Sequence, residues 1–308
     1  MRGIILILSV LFSSSVFAQQ EPLFTQYYNN DMAINPAISG SKTYNPITLQ
    51  TRQQWLGFEG APLSTQISYH GALNNRSAMG GYFLFDKANP SLQVNLQLNY
   101  AYHIPLNYES VNLSFGIGAK LMYYNLDFEP EDLPPGIDPA YSASAYDNTL
   151  GDASAGVYLY GRNFYLGFSA SNLLESTFST AIGTSPVSNN LFRNYYGMGG
   201  YRFEVHNKDW QLEPSFLLRK IELHKTVTDF TARIIYLEDT WAGLTNRTDG
   251  TIAFGFGFRA NNKIRISYTY DHTFAGEIMQ YTYGTHELGI SFRIGTLASK
   301  RHTGFWGY

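Results

Sequence analysis

The chain has 308 residues, no cysteine, and 21 Lys+Arg against 24 Asp+Glu, so that only 15% of it is charged, where a soluble globular domain carries about 25%. The missing cysteines exclude a disulfide framework and a zinc-thiolate site, and the near-neutral charge leaves no electrostatic footprint for nucleic acid. An apolar content of 44%, with 24 tyrosines, 21 phenylalanines and 28 glycines, excludes disorder and suits pleated strands and tight turns better than a helical core.

Residues 1–18 have the build of a secretory signal peptide. Arg2 gives the positive start, Ile4 to Phe12 is apolar apart from Ser9, and Val16-Phe17-Ala18 ends it with the small-x-small pattern of a cleavage site. Cleavage is expected after Ala18. The apolar stretch is well short of the roughly 20 residues that span a bilayer. No later stretch is long and apolar enough for a spanning helix, and the mean hydropathy is −0.20. The mature chain is therefore expected to be soluble or to cross a membrane as a closed barrel, because only helices and barrels satisfy every backbone group in lipid.

Residues 19–45 are predicted to form an N-terminal lead-in or plug. The run Phe24-Thr25-Gln26-Tyr27-Tyr28-Asn29-Asn30 precedes Ala33-Ile34-Asn35-Pro36-Ala37 and Ser39-Gly40-Ser41. Asn-Pro and Ser-Gly are turn signals, and the aromatics give the turns something to bury. The pattern fits a periplasmic lid, a plug, or an ordered approach to the first strand.

Residues 46–295 are predicted to form a transmembrane, outer-membrane β-barrel of about 14 antiparallel up-and-down strands. The clearest strand is Leu92 to His103, with Leu92, Val94, Leu96, Leu98, Tyr100 and Tyr102 on one face and Gln93, Asn95, Gln97 and Asn99 among those on the other. Residues 111–124 repeat the pattern. Weaker alternation marks 47–55, 63–71, 78–86, 152–160, 164–171, 194–203, 210–220, 226–236 and 240–246, and three more strands centre on Ile252–Phe258, Ile264–Tyr270 and Leu288–Ile294. All three long gaps, 125–151, 172–193 and 272–284, follow odd-numbered strands, whereas the gaps after even-numbered strands are short. Short periplasmic turns and longer outer loops give that parity. Trp55, Tyr123, Tyr268 and Tyr270 fall near outer strand ends, and Tyr100, Tyr102, Trp210 and Phe292 near inner ends, as two interfacial girdles would. A soluble sandwich shares the alternation but turns its apolar face inward. Against it, the polar faces here are rich in Gly, Ser and Asn rather than Lys and Glu.

Catalytic signatures are missing. His286-Glu287 is followed by Leu-Gly-Ile, so it is no zincin pair, and Gly167-Phe168-Ser169-Ala170-Ser171 lacks the final glycine of a nucleophile elbow. No enzyme activity, cofactor or metal is expected. The acids Glu129, Glu131, Asp132, Asp138, Asp147 and Asp152 have no EF-hand spacing and read as a solvated loop. The polar face carries Arg52, Lys120, Arg202, Arg219, Arg233, Arg259, Lys263, Arg265 and Arg293 with Glu213, Asp229, Asp271 and Glu287. Such a mixture forms either a plugging network or a basic-leaning cavity that receives a polypeptide segment, and the network is the commoner outcome. In the first outer corner, Trp55 suits the interface, Gly57 a positive φ, and Pro62 the end of the ladder.

Three runs carry a family resemblance: Phe24 to Ser41, with its Asn35-Pro36-Ala37; Thr51 to Pro62, with Arg52, Trp55, Gly57 and Phe58; and Tyr268 to Thr273 followed by Gly284 to Gly295, with Asp271, His286 and Glu287. In this order they resemble the PorP/SprF family of the type IX secretion and gliding apparatus, over essentially the whole mature chain. The resemblance implies a Gram-negative outer-membrane barrel that binds and helps deliver or anchor a secreted adhesin through its type B C-terminal domain. It also implies contacts with other type IX components, for some members a peptidoglycan-associated periplasmic subunit, as well as with outer-membrane lipid. Partner-binding residues implied by the motifs are Asn35, Pro36, Arg52, Trp55, Gly57, Phe58, Pro62, Asp271, His286 and Glu287, to which the lumen-face reading adds Arg265. Two features depart from the family pattern: Asp86-Lys87-Ala88-Asn89 lacks an expected glycine, and a tail, 296–308, extends past the last strand. A passive or ligand-specific channel is the competing reading, because fourteen strands enclose a lumen.

Overall fold

Alternating side chains, frequent β-branched and aromatic residues, and short Gly/Asn turns produce strands almost throughout. The computed structural model describes residues 22–107, 111–126, 146–182, 185–206, 209–222, 225–237, 240–274 and 281–296. The strands are β1 (Tyr44–Gln53), β2 (Leu63–Ala72), β3 (Ser77–Ala88), β4 (Ser91–Asn107), β5 (Val111–Leu126), β6 (Tyr146–Gly161), β7 (Phe164–Ser171), β8 (Thr177–Ile182), β9 (Ser185–Asn190), β10 (Asn194–Tyr201), β11 (Phe203–His206), β12 (Trp210–Ile221), β13 (Thr226–Tyr236), β14 (Thr240–Arg247), β15 (Thr251–Arg259), β16 (Ile264–Thr273) and β17 (Thr285–Thr296).

Fourteen staves close into one antiparallel barrel. β1 pairs with β17, setting Arg52 opposite Glu287, and β10 pairs with both β7 and β12, so that Gly197 lies between Phe168 and Leu218. β11 continues the β10 stave beyond Arg202. β8 and β9 form a separate hairpin within the outer loop 172–193. That hairpin is absent from the sequence-based strand assignment. The gap expected at 125–151 is also narrower, because β5 reaches Leu126 and β6 begins at Tyr146. The leader 1–18, the tail beyond Thr296, and Glu129, Glu131, Asp132 and Asp138 lie outside the described residues.

The orientation of the two faces distinguishes a membrane barrel from a soluble one. On β4, Leu98 is 58% exposed while its neighbour Asn99 is 2% exposed, and Leu96 and Tyr100 point outward while Asn95 and Gln97 are buried. Ile117, Phe168, Phe230, Phe254 and Phe256 continue the outward apolar band. Each such side chain gains about 1.5–3 kcal/mol on leaving water for an apolar medium, so the band is stable only against acyl chains. At the inner rim, Trp210 packs on Tyr236 at 4.7 Å and Tyr201 on Phe203 at 4.5 Å. At the outer rim, the Tyr268 and Tyr270 rings lie against His286.

The apolar core is inside the barrel and is built around residues 22–43. This segment makes three 3-10 turns, Tyr27–Asn29, Asp31–Ala33 and Pro36–Ile38. Tyr27, Tyr28, Met32, Ala37 and Ile38 pack against inward Tyr158, Tyr160, Tyr165, Met198 and Leu217. The wall makes room with glycine. A Cβ on Gly116 would overlap the Pro36–Ala37 backbone, and one on Gly156 would overlap the Asn35 amide.

Candidate functional site

The plug enters the lumen near the outer rim and descends to the periplasmic mouth. Thr25 lies among outer-end residues of β1, β14, β16 and β17, whereas Gly40 lies beside the β2–β3 turn, where its N–H donates to His70 Nδ1 at 2.9 Å. With short turns on the periplasmic side, residues 22–24 lie toward the outer side.

Thr25 is the upper anchor. Its N–H donates to Glu287 Oε2 at 2.8 Å, and its hydroxyl donates to Asp271 Oδ2 at 2.6 Å. The same hydroxyl accepts from Arg52 Nη1 at 3.1 Å and Arg247 Nη2 at 2.9 Å. Gln26 N–H donates to the other Glu287 oxygen at 2.9 Å. Arg52 bridges Asp271 at 2.8 Å and Glu287 at 3.1 Å, and Arg247 reaches Asp229 at 2.8 Å. Asp229 also receives Arg219 at 2.6 Å. Deeper in the lumen, Glu213 holds Arg202 at 2.8 Å and Arg233. The Arg233 guanidinium lies 3.8 Å over the Tyr28 ring, with Trp241 edge-on to the same ring. The Tyr27 hydroxyl shares a hydrogen bond of 3.0 Å with the Ser215 hydroxyl.

Asn35 is the lower anchor. Its Oδ1 caps the last 3-10 turn by accepting from Ala37 N–H at 3.0 Å, and its Nδ2 donates to the carbonyls of Val157 and Phe168 at 3.0 and 3.3 Å. Pro36 follows at the first position of the turn, where a missing N–H costs nothing. Lys42 pairs with Asp31 at 3.1 Å, and Ser68 donates to Asn30 at 2.7 Å.

The residues singled out from sequence therefore divide into five groups. Arg52, Asp271 and Glu287 meet in one cluster, and Asn35 and Pro36 anchor the plug lower down. Trp55, Gly57, Phe58 and Pro62 shape the exposed β1–β2 corner. There Gly57 takes φ +93° against Tyr283, Phe58 donates to the Trp55 carbonyl, Pro62 accepts from Gln54, and Leu56 exchanges backbone bonds with Gly284 and Tyr283. Arg265 sits at the opposite end, donating to the Tyr44 hydroxyl at 3.2 Å. His286 faces away from the lumen and accepts or donates to Tyr268 at 2.6 Å, as alternation requires for a residue beside inward Glu287.

Three further outcomes modify the polar-face and solvated-loop readings. Arg259 and Lys263 end on the exposed β15–β16 turn instead of the lumen. Asp152 is an organiser of the outer loop, accepting from the backbone of Ala153 and Leu174, and Asp147 accepts from Tyr123 and Asn125. Arg247 and Thr25, which complete the cluster, were not identified from sequence. Alternation past the expected end of the strand at 246 would have turned Arg247 inward with Thr245.

Among the described residues, cavities in the lumen flank the plug. One of about 90 Å³ lies toward the outer rim beside Pro22, Phe24 and Tyr196, and one of about 50 Å³ lies lower, beside Tyr28, Tyr44 and Trp241.

A family model described as type IX secretion system membrane protein PorP/SprF matches residues 16–292. No curated protein matches the chain. Among solved structures, the CymD monoaromatic hydrocarbon channel has a TM-score of 0.50 at 10% identity, covering 89% of this chain and 94% of its own. The Pseudomonas putida toluene transporter TodX has a TM-score of 0.47 at 12% identity, covering 86% and 91%. The Acinetobacter baumannii outer membrane protein Omp33 has a TM-score of 0.46 at 7% identity, covering 83% and 100%. These likenesses concern the barrel fold alone.

Proposed function

Because the chain belongs to the PorP/SprF family of type IX secretion system membrane proteins, we propose that it is a non-enzymatic, plugged outer-membrane barrel that holds a secreted adhesin at the cell surface by binding the adhesin's type B C-terminal domain. The observation that carries this reading is the buried Thr25–Arg52–Asp271–Glu287 cluster, which fixes the plug across the lumen by charge-assisted bonds. A barrel whose bore is occupied by its own chain suits holding a macromolecule better than passing solutes. Its outer corner and loops supply a surface on which insertions cost the scaffold little. Within the secretion apparatus, its periplasmic rim is the face available to other components, including a peptidoglycan-associated subunit. The test is deletion of the protein followed by surface proteomics and co-purification from native membranes. Loss of one adhesin from the surface, and its recovery with the tagged barrel, is the expected result. An unchanged surface proteome would overturn the proposal.

The 90 Å³ cavity, partly apolar, supports a second reading as a ligand-specific channel. Reconstituted conductance separates the two. A plugged, partner-binding barrel stays nearly silent, whereas a diffusion pore passes ions steadily.

A further inference from the structure

The outer cavity is built unlike the rest of the lumen. One side is formed by the first residues of the plug and by β2–β4, the other by the outer ends of β10 and β12. Asn194 opens β10 directly opposite Ile221 at the end of β12. Phe24, Leu84, Tyr196 and Ile221 give the cavity an apolar wall. Its polar wall has unused bonding capacity. Asn194 is 1% exposed, yet neither its amide nitrogen nor its amide oxygen has a partner, and the same holds for Arg219 Nε and Gln50 Oε1. Arg219 is held in place from behind, its Nη2 donating to Asp229 at 2.6 Å.

A buried carboxamide with its donor and its acceptor both unused is complementary to one peptide unit, which offers the reciprocal acceptor and donor. The neighbouring Arg219 Nε–H adds a donor for a second carbonyl. A hydrocarbon in the same space would leave all of these groups unpaired, which buried polar groups disfavour. Access also selects the occupant. The cavity is bounded by the first residues of the plug and by the outer ends of β10 and β12, and deeper in the bore the plug packs Met32, Ala37 and Ile38 against Tyr158, Tyr160 and Tyr165, so the occupant arrives from the cell exterior.

We propose that this cavity seats an extended polypeptide segment of the surface protein. Its backbone pairs with Asn194 and Arg219, and one apolar side chain lies between Phe24, Leu84, Tyr196 and Ile221. The proposal rests on the adhesin-holding reading above and assigns that reading a site.

The test uses the full chain in its native membrane, with p-benzoylphenylalanine replacing Tyr196 in one strain and Ile221 in another. Irradiation is expected to join the barrel to the adhesin at both positions, and not when the photoreactive group replaces outward Phe254. Asn194→Leu, which keeps the side-chain volume and removes both bonding atoms, should lower co-purified adhesin roughly tenfold, the loss expected for about 1.4 kcal/mol, with barrel levels unchanged. If the adhesin co-purifies with the unaltered barrel but neither position crosslinks to it, the cavity assignment is overturned while the holding function stands. Crosslinks to lipid or to a small molecule alone overturn it equally. If the adhesin never co-purifies, the underlying reading falls and the cavity assignment with it.

Discussion

Thr25→Val is the sharpest perturbation of the plug. The substitution keeps the side-chain volume and removes one hydroxyl that donates to Asp271 and accepts from Arg52 and Arg247. Hydrogen bonds to charged groups contribute about 1.5–3 kcal/mol each. The three partners retain one another, with Arg52–Asp271 at 2.8 Å and Arg247–Asp271 at 3.9 Å, so the losses do not add. A net cost of about 2–4 kcal/mol for plug docking follows, equivalent to a rise of roughly 30- to 700-fold in the undocked population. The chain has no cysteine, so Ser39→Cys places a single thiol where the plug is fully buried. Its labelling rate reads the undocked population when re-docking outpaces reaction. The Thr25→Val background should accelerate labelling within that range. Rates equal within twofold, with the barrel intact, would refute the role assigned to the Thr25 cluster.

Glu213→Gln removes the carboxylate shared by Arg202 and Arg233; breaking a buried pair costs about 3–5 kcal/mol, and the temperature at which the folded band disappears from semi-native gels should fall clearly. Gly116→Val places side-chain atoms where the Pro36–Ala37 backbone lies; the plug should be displaced and single-channel current should rise. Gly151→Ala, with nothing near its added Cβ, should leave both readouts unchanged. An epitope placed immediately ahead of Pro22 should bind antibody on intact cells, whereas one placed after Thr296 should require permeabilised cells; the reverse pattern would contradict the direction in which the plug threads the lumen. Phe254→Arg puts a charge on the lipid face of β15, where Phe254 is 58% exposed; a loss of about 2–4 kcal/mol is expected near the bilayer midplane, read as a lower unfolding midpoint of the lipid-reconstituted barrel.

The barrel was legible because lipid makes the simplest of patterns decisive. On β4, Leu96, Leu98 and Tyr100 against Asn95, Gln97 and Asn99 fix both the period and the face, and the long loops after odd strands fix the direction. The contents of the lumen were less legible. Period two states which side chains avoid lipid and leaves open what fills the space they surround. The run Phe24–Ser41 therefore read equally as a lid, a plug or a lead-in. Its docking depends on contacts such as Thr25 with Glu287, separated by 262 residues in sequence. The β1 strand begins at Tyr44 instead of 47, because Asn45-Pro46 reads as a turn when its pairing with β17 is unknown. The β8–β9 hairpin is short enough to be lost among Ser, Thr and Asn. His286 and Glu287 carry a different lesson: grouped as one motif, they point to opposite faces of β17, the first into the aromatic girdle and the second onto Thr25 and Gln26.

In the density of the barrel purified from native membranes together with its secreted partner, residues 22–43 should lie inside the lumen, held at Thr25 and Asn35, with partner density confined to the outer side and reaching Asn194. An open bore, or a partner seated in the periplasmic mouth between Tyr44 and Arg265, would contradict this placement.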